Sequence, residues 1–185
     1  QEDSDVDGVG DVCDNCRTEP NPDQLNSDRF EITIQELEPA VRPHTQGVSQ
    51  LELGDDTVSA AIPLGFTFNY FGESFESVYI ASNGYIGFNP AGMNVLNSRN
   101  LGLTSAPNGV IAGYWDDLNP ASHGTIFYEI LGSEPQRKLV VQWQEVAHYG
   151  YSSSHVTAQA ILLEGSNSIL VQYLDPSSRA GMSAT

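Results

Sequence analysis

Basic residues are scarce in this chain of 185 residues. Seven Lys and Arg stand against 24 Asp and Glu, for a formal charge of −17. Without a cationic face, duplex nucleic acid and anionic membrane surfaces are excluded as partners. Long apolar runs are also missing, so no segment reads as a bilayer-spanning helix. The first residues do not read as a signal peptide, and the expectation is a mature chain or an excised piece. Cysteine is limited to Cys13 and Cys16. Structural zinc needs four ligands, and no further Cys or His pair accompanies these two nearby. A thioredoxin-type pair would precede a helix in a βαβ unit, yet no stretch beyond about ten residues shows the helical period. Catalytic signatures are absent too: there is no G-x-S-x-G, no H-E-x-x-H and no P-loop. His44, His123, His148 and His155 are scattered and read as surface histidines. His148 and His155 flank Tyr149–Ser154, where a hairpin would let them approach. The chain is not expected to be an enzyme.

What is present is acid in a pattern. Nine of the 24 acidic residues lie in the first 28 positions. In the stretch Asp3 to Asp14, DSDVDGVGDVCD, carboxylates occupy loop positions 1, 3, 5, 9 and 12, and Gly8 stands at 6. Ca²⁺ is a hard cation that takes six to eight oxygens. Side chains two apart in a tight loop converge on one ion, the position-7 carbonyl adds another oxygen, and glycine at 6 allows the sharp turn. A merely solvated acidic tail has no reason to keep this spacing. The expected ligands are Asp3, Asp5, Asp7, Asp11 and Asp14 with the Val9 carbonyl. An EF-hand uses the same spacing between helices, but Cys-Asp-Asn-Cys and a Pro-Asn-Pro turn follow here.

Asp3 to Asp28, DSDVDGVGDVCDNCRTEPNPDQLNSD, resembles a thrombospondin type 3 repeat, whose pattern is DxDxDGxGDxCDNC followed by NPxQxDxD. The resemblance implies the same ligand set. It departs at Arg17, where proline is usual, and at Arg29-Phe30, where a second Asp loop stops. Asn15, Asn21 and Asp28 still offer oxygens to a second ion. In the resembled family the two cysteines bridge to neighbouring repeats. Here the expectation stays open between a local Cys13–Cys16 bond and partners in a longer chain. Either fits an oxidising compartment, and extracellular calcium suits modules that bind at roughly 10⁻⁴–10⁻³ M.

From residue 29 the character changes. Phe30–Ile34 alternates, Val48–Leu53 and Thr57–Ile62 read as strands split by Gly54-Asp55-Asp56, and Phe66–Phe71 and Ser77–Ser82 follow. Asn83-Gly84 signals a type I′ hairpin into Tyr85–Phe88. Residues 89–108 read as the longest loop. Val110–Trp115, Thr125–Leu131 and Lys138–Val146 are further strands, the last with a slip that suggests a bulge. His155–Glu164 and Ser168–Leu174 form a hairpin through Gly165-Ser166-Asn167. Roughly ten strands with turns every eight to twelve residues predict an all-β, antiparallel sandwich. The domains are then 1–28, an irregular calcium-binding repeat, and 29–185, the sandwich.

The stretches IPLGFTFNYFGESFESVYIASNGYIGF (62–88), VIAGYWDDLNPASHGTIFYE (110–129) and KLVVQWQEVAHYGYSSSHVTAQAILLEGSNSILVQYLD (138–175) together resemble the nidogen-like extracellular β domain over about residues 60–180. That implies a matrix, adhesion or attachment role. It also implies that Arg179–Thr185 leads into one more apolar strand. The chain stops at Thr185, so the expectation divides between a shortened chain, closure without that strand, and a strand from another copy.

Two lesser features remain. Asp116-Asp117 reads as a strand-end turn in which one Asp accepts backbone N–H groups. Adjacent strand residues point to opposite faces, so the pair cannot serve one substrate as a glycosidase would; a minor calcium contact is the functional alternative. Tyr149 and Tyr151, among serines, form a candidate binding loop of the Tyr/Ser type. Trp115 and Trp143 read as core. The function expected is a non-enzymatic, calcium-binding, extracellular adhesion or structural module, secreted or at the cell surface, with a protein or matrix partner. The alternatives are a self-assembling fibre subunit that binds its own copies, and a carbohydrate-binding module.

Overall fold

In the stretch IPLGFTFNY, apolar residues fall on every second position. Ile62, Leu64, Phe66 and Phe68 accordingly turn inward while Pro63, Gly65 and Thr67 face out. The computed structural model describes Ser4, Val6, the backbone of Ile32–Glu36, residues 48–93 and residues 109–174. Backbone packing divides the chain into Gln1–Glu31 and Ile32–Thr185, and every described strand belongs to the second unit. The strands are β1 (Ile32–Glu36), β2 (Ser49–Leu51), β3 (Ile62–Tyr70), β4 (Glu73–Ile80), β5 (Tyr85–Gly87), β6 (Val110–Ala112), β7 (Leu118–Asn119), β8 (Thr125–Leu131), β9 (Lys138–His148), β10 (Tyr151–Leu163) and β11 (Ile169–Tyr173).

They form two sheets. The larger runs β1-β11-β10-β9-β8-β2 with β7 attached to β9, and the smaller runs β3-β4-β5-β6. Phe68, Ile80 and Ile86 from the smaller sheet meet Leu139, Val141, Trp143, Ala160 and Leu162 from the larger in one buried cluster. Each large apolar side chain so buried contributes about 1.5–3 kcal/mol. Trp143 also donates its indole N–H to the Ala81 carbonyl, at 2.9 Å, and so ties the two layers together. The expected all-β sandwich is found, and the hairpin of β10 and β11 lies where the sequence put it.

The predicted slip in β9 is a bulge. Gln144 and Glu145 together oppose Thr157, between the pairs Trp143↔Ala158 and Val146↔Val156. Glu145 takes a φ of 51° there, and its N–H is recovered by the Thr157 hydroxyl at 3.0 Å. Gly124 is required opposite the bulge: its φ is 93°, and a Cβ would stand 2.4 Å from the Glu145 carbonyl oxygen.

Several expectations need correction. The strand predicted over Val110–Trp115 ends at Ala112, because the Tyr114 N–H leaves the ladder to bond the Gly84 carbonyl. Thr57–Ile62 is not a strand; a single Val58↔Ala81 bridge precedes β3. Asn83-Gly84 is not a type I′ turn, since only Gly84 has a positive φ. Asn83 is instead buried, its side chain holding neighbouring loops. The expectations for residues 94–108 and 175–185 lie outside the described residues. At one edge of the larger sheet β1 lies parallel to β11, the one parallel pairing among the described strands. The outer edge of β3 is blunted as well. Pro63 has no N–H, Gly65 turns to a φ of 74°, and the Asn69 N–H is taken by the Asn167 side chain at 2.8 Å.

Candidate functional site

The predicted calcium ligands Asp3, Asp5, Asp7, Val9, Asp11 and Asp14 lie outside the described residues, as do Asn15, Asn21, Asp28, Cys13 and Cys16. Tyr149 and Tyr151 are described. They flank Gly150 at the tip joining β9 to β10, and each is about half exposed, at 52% and 50%. The tip is tighter than the expected Tyr149–Ser154 loop, because β10 already begins at Tyr151.

The histidines part company. His148 is not a surface residue but is 5% exposed. Its Nδ1 lies 3.1 Å from the Ser154 carbonyl, which can only accept, so Nδ1 carries the hydrogen. Nε2 lies 3.1 Å from the Tyr114 hydroxyl and 3.6 Å from the Asp116 carboxylate. Ser, His and Asp thus meet, but the Ser154 hydroxyl is itself buried and faces an Nδ1 already engaged by a carbonyl. A nucleophile needs a base with a free lone pair and a route to substrate. This group offers neither and instead braces the base of the tyrosine tip. His155 does not approach His148; it stacks on His123, ring centroids 4.0 Å apart.

Asp116 and Asp117 sit in the bend between β6 and β7, not in a strand. Asp116 Oδ1 accepts the Asp117 N–H at 2.8 Å, the backbone role expected for one member of the pair. The two carboxylates still diverge. Asp116 turns inward to His148, while Asp117 joins Asp55 and Asp56 from the turn before β3. The ligand atoms of Asp55, Asp56 and Asp117 lie within 4.8 Å of one another, the one such group among the described residues. Asn83 steadies it: its Nδ2 donates to Asp56 Oδ1 at 2.9 Å, and its Oδ1 accepts the Leu118 N–H at 3.0 Å. Asp55 Oδ1 and Asp117 Oδ1 are sealed from solvent without a hydrogen-bond partner.

That crowding shows in the acidities. Burial, then Asp56, Asp55 and Asp116, push the Asp117 carboxyl up to about 6, against a weaker opposing pull from His148. Burial and then Asp56 also raise Asp55. The folded chain therefore holds the Asp117 proton more tightly than the unfolded chain does. Stability from this group is full below its ordinary value of 3.8 and is lost as pH rises through about 6. With chelator present, Asp117→Asn is expected to gain stability relative to the parent across that window. Urea midpoints of both proteins at matched pH check it; parallel curves would remove Asp117 as the cause.

The sequence reading did not find this group. Asp55 and Asp117 stand far apart in the chain, and nothing in their spacing joins them. The available signal was the recurrence of acidic pairs, Asp55-Asp56 and Asp116-Asp117, each at a strand boundary.

Comparison with known proteins bears on the sandwich. The family described as NIDO related matches residues 33–185. Alpha-tectorin of Mus musculus is 28% identical over 144 residues, covering 65% of this chain and 7% of that protein. The chain thus corresponds to a small part of that relative's length. No solved structure matches it.

Proposed function

Since the chain belongs to the NIDO-related family, we propose that it is an extracellular structural module whose N-terminal arm is stiffened by calcium. The observation that carries this reading is the family match over residues 33–185 beside a loop in which Asp3, Asp5, Asp7, Asp11 and Asp14 keep calcium-ligand spacing. The thrombospondin type 3 resemblance of residues 3–28 supports the same assignment. Calcium offsets the carboxylate repulsion of the arm and turns a tether into a strut. The half-exposed Tyr149 and Tyr151, on a tip braced by His148, present a contact surface of low entropic cost for a protein or matrix partner. With β1 on β11 and the β3 edge blunted, strand exchange between copies has less to recommend it than side-chain contact.

Hydrogen exchange with and without EGTA tests the calcium arm. Peptides covering residues 3–14 are expected to lose protection on chelation while those of β9 and β10 keep theirs. Equal protection of residues 3–14 in both conditions would sink the reading.

A further inference from the structure

We propose that the cleft between the edge of β3 and the β8–β9 and β10–β11 turns is a docking site for a basic peptide segment that inserts a lysine side chain. The cleft has a volume of about 660 Å³. Its origin lies in strand register. Between the pairs Pro63↔Ser77 and Phe68↔Phe75, residues 64–67 of β3 face Glu76 alone on β4. The extra length bends the edge strand, and Gly65 takes a φ of 74° within it. The opposite wall is held by Glu164, which accepts the Arg137 backbone N–H and Nε–H, both at 2.8 Å, and Nη2 as well. These bonds tie the turn before β9 to the turn after β10.

Charge and shape together decide the occupant. The cleft is lined by the carboxylates of Glu76, Glu134 and Glu164 and by a single cation, Arg137. Arg137 is already engaged: its fork grips Glu164, and its guanidinium carbon lies 5.9 Å from the centre of the Phe66 ring. Glu134 stands 3.9 Å from Nη2, too far for a hydrogen bond, with its side chain 78% exposed. Glu76 is exposed and has no ion-pair partner among the described residues. Two carboxylates are therefore left to a ligand, beside the rings of Pro63 and Pro135. A lysine matches both features, since its aliphatic stem lies along apolar surface while its ammonium reaches acceptors. Walls of proline and glycine have few rotamers to freeze, so closing on a ligand costs little side-chain entropy. The segment docks by side chains rather than as an added strand, because Pro63 offers no N–H and Gly65 breaks the extended edge. None of this rests on the N-terminal loop or on the tyrosine tip.

The test uses the full chain. In NMR titration a blocked trilysine peptide is expected to shift the backbone amide signals of Gly65 and Gly165 saturably, whereas a blocked trinorleucine peptide of similar shape should not. Glu76→Gln with Glu134→Gln should weaken trilysine binding about fivefold to tenfold, as the loss of two exposed ion pairs allows. Glu52→Gln with Glu73→Gln removes the same charge outside the cleft and should change the affinity by less than about twofold. All four positions are exposed, so the fold tolerates both double variants. Absence of a saturable shift at Gly65 and Gly165 would overturn the proposal. So would equal weakening by the two double variants, which would make the net charge of the chain the cause. A neutral glycan, cellotetraose, that moved the same signals at lower concentration than trilysine would assign the cleft to carbohydrate and overturn it too.

Discussion

Trp143→Ala is expected to lower the stability of the sandwich by about 3–5 kcal/mol, the range for truncating a large aromatic side chain in a packed core. Trp143 is 1% exposed and sits at the centre of β9, with β10 on one side and β8 on the other. Its ring fills space between the sheets, and its N–H satisfies the Ala81 carbonyl at the end of β4. The substitution removes both contributions, since the cavity cannot collapse while two long strands hold the backbone apart. Trp143→Phe separates them. It keeps most of the ring but leaves the Ala81 carbonyl without its donor, for a smaller loss of about 1–3 kcal/mol. Guanidinium denaturation of the three proteins reads the difference as a shift in midpoint at unchanged slope. If Trp143→Ala fell within about 1 kcal/mol of the parent, the indole would not be the link between the layers.

The strands that could be read from sequence were those whose packing is periodic and whose partners are near. Phe66–Phe68 alternates because one face is buried, although the one strand β3 spans Ile62–Tyr70 where Thr57–Ile62 and Phe66–Phe71 were expected as two, and the β10–β11 hairpin closes through a local Gly-Ser-Asn turn. Reading failed where a side chain takes over work that backbone pairing usually does. Val110–Trp115 has the composition of a strand, but the Gly113 N–H turns back to the Ile111 carbonyl, the Tyr114 N–H bonds the Gly84 carbonyl, and Trp115 packs against Tyr85. The same contrast divides the sites. The proposed N-terminal calcium loop could be picked out because all its candidate ligands fall within a dozen residues. The Asp55, Asp56 and Asp117 group is illegible because it exists only once two distant connections have folded together. His148 was misplaced for a related reason. It stands beside the Tyr/Ser stretch Tyr149–Ser154 in sequence, while in space Tyr114 and Asp116 lie against its ring.

Asn83→Ala is expected to cost about 2–4 kcal/mol, a large loss for a residue in a turn. Asn83 is 1% exposed, and each end of its amide has a separate task. Its Oδ1 satisfies the buried Leu118 N–H where β7 begins, and its Nδ2 supplies a donor to Asp56 Oδ1. Alanine leaves the first an orphaned donor in a dry site and the second a carboxylate with more repulsion and less compensation. At the neighbouring Gly84, whose φ is 80°, a Cβ would lie 2.4 Å from the Tyr114 carbonyl oxygen, so this turn admits only glycine there. Asn83→Asp distinguishes the two tasks. An aspartate still accepts from Leu118, but it turns an acceptor toward Asp56 and adds a fourth charge to Asp55, Asp56 and Asp117. Its cost should therefore grow more steeply as pH rises and the carboxylates ionise than the cost of Asn83→Ala, which loses a donor to Asp56 but adds no charge. Denaturant midpoints for both variants, taken in chelator across the titration range of Asp117, separate the curves. Two variants that track each other at every pH would mean that Asn83 holds Leu118 alone and has no electrostatic hold on the acidic group.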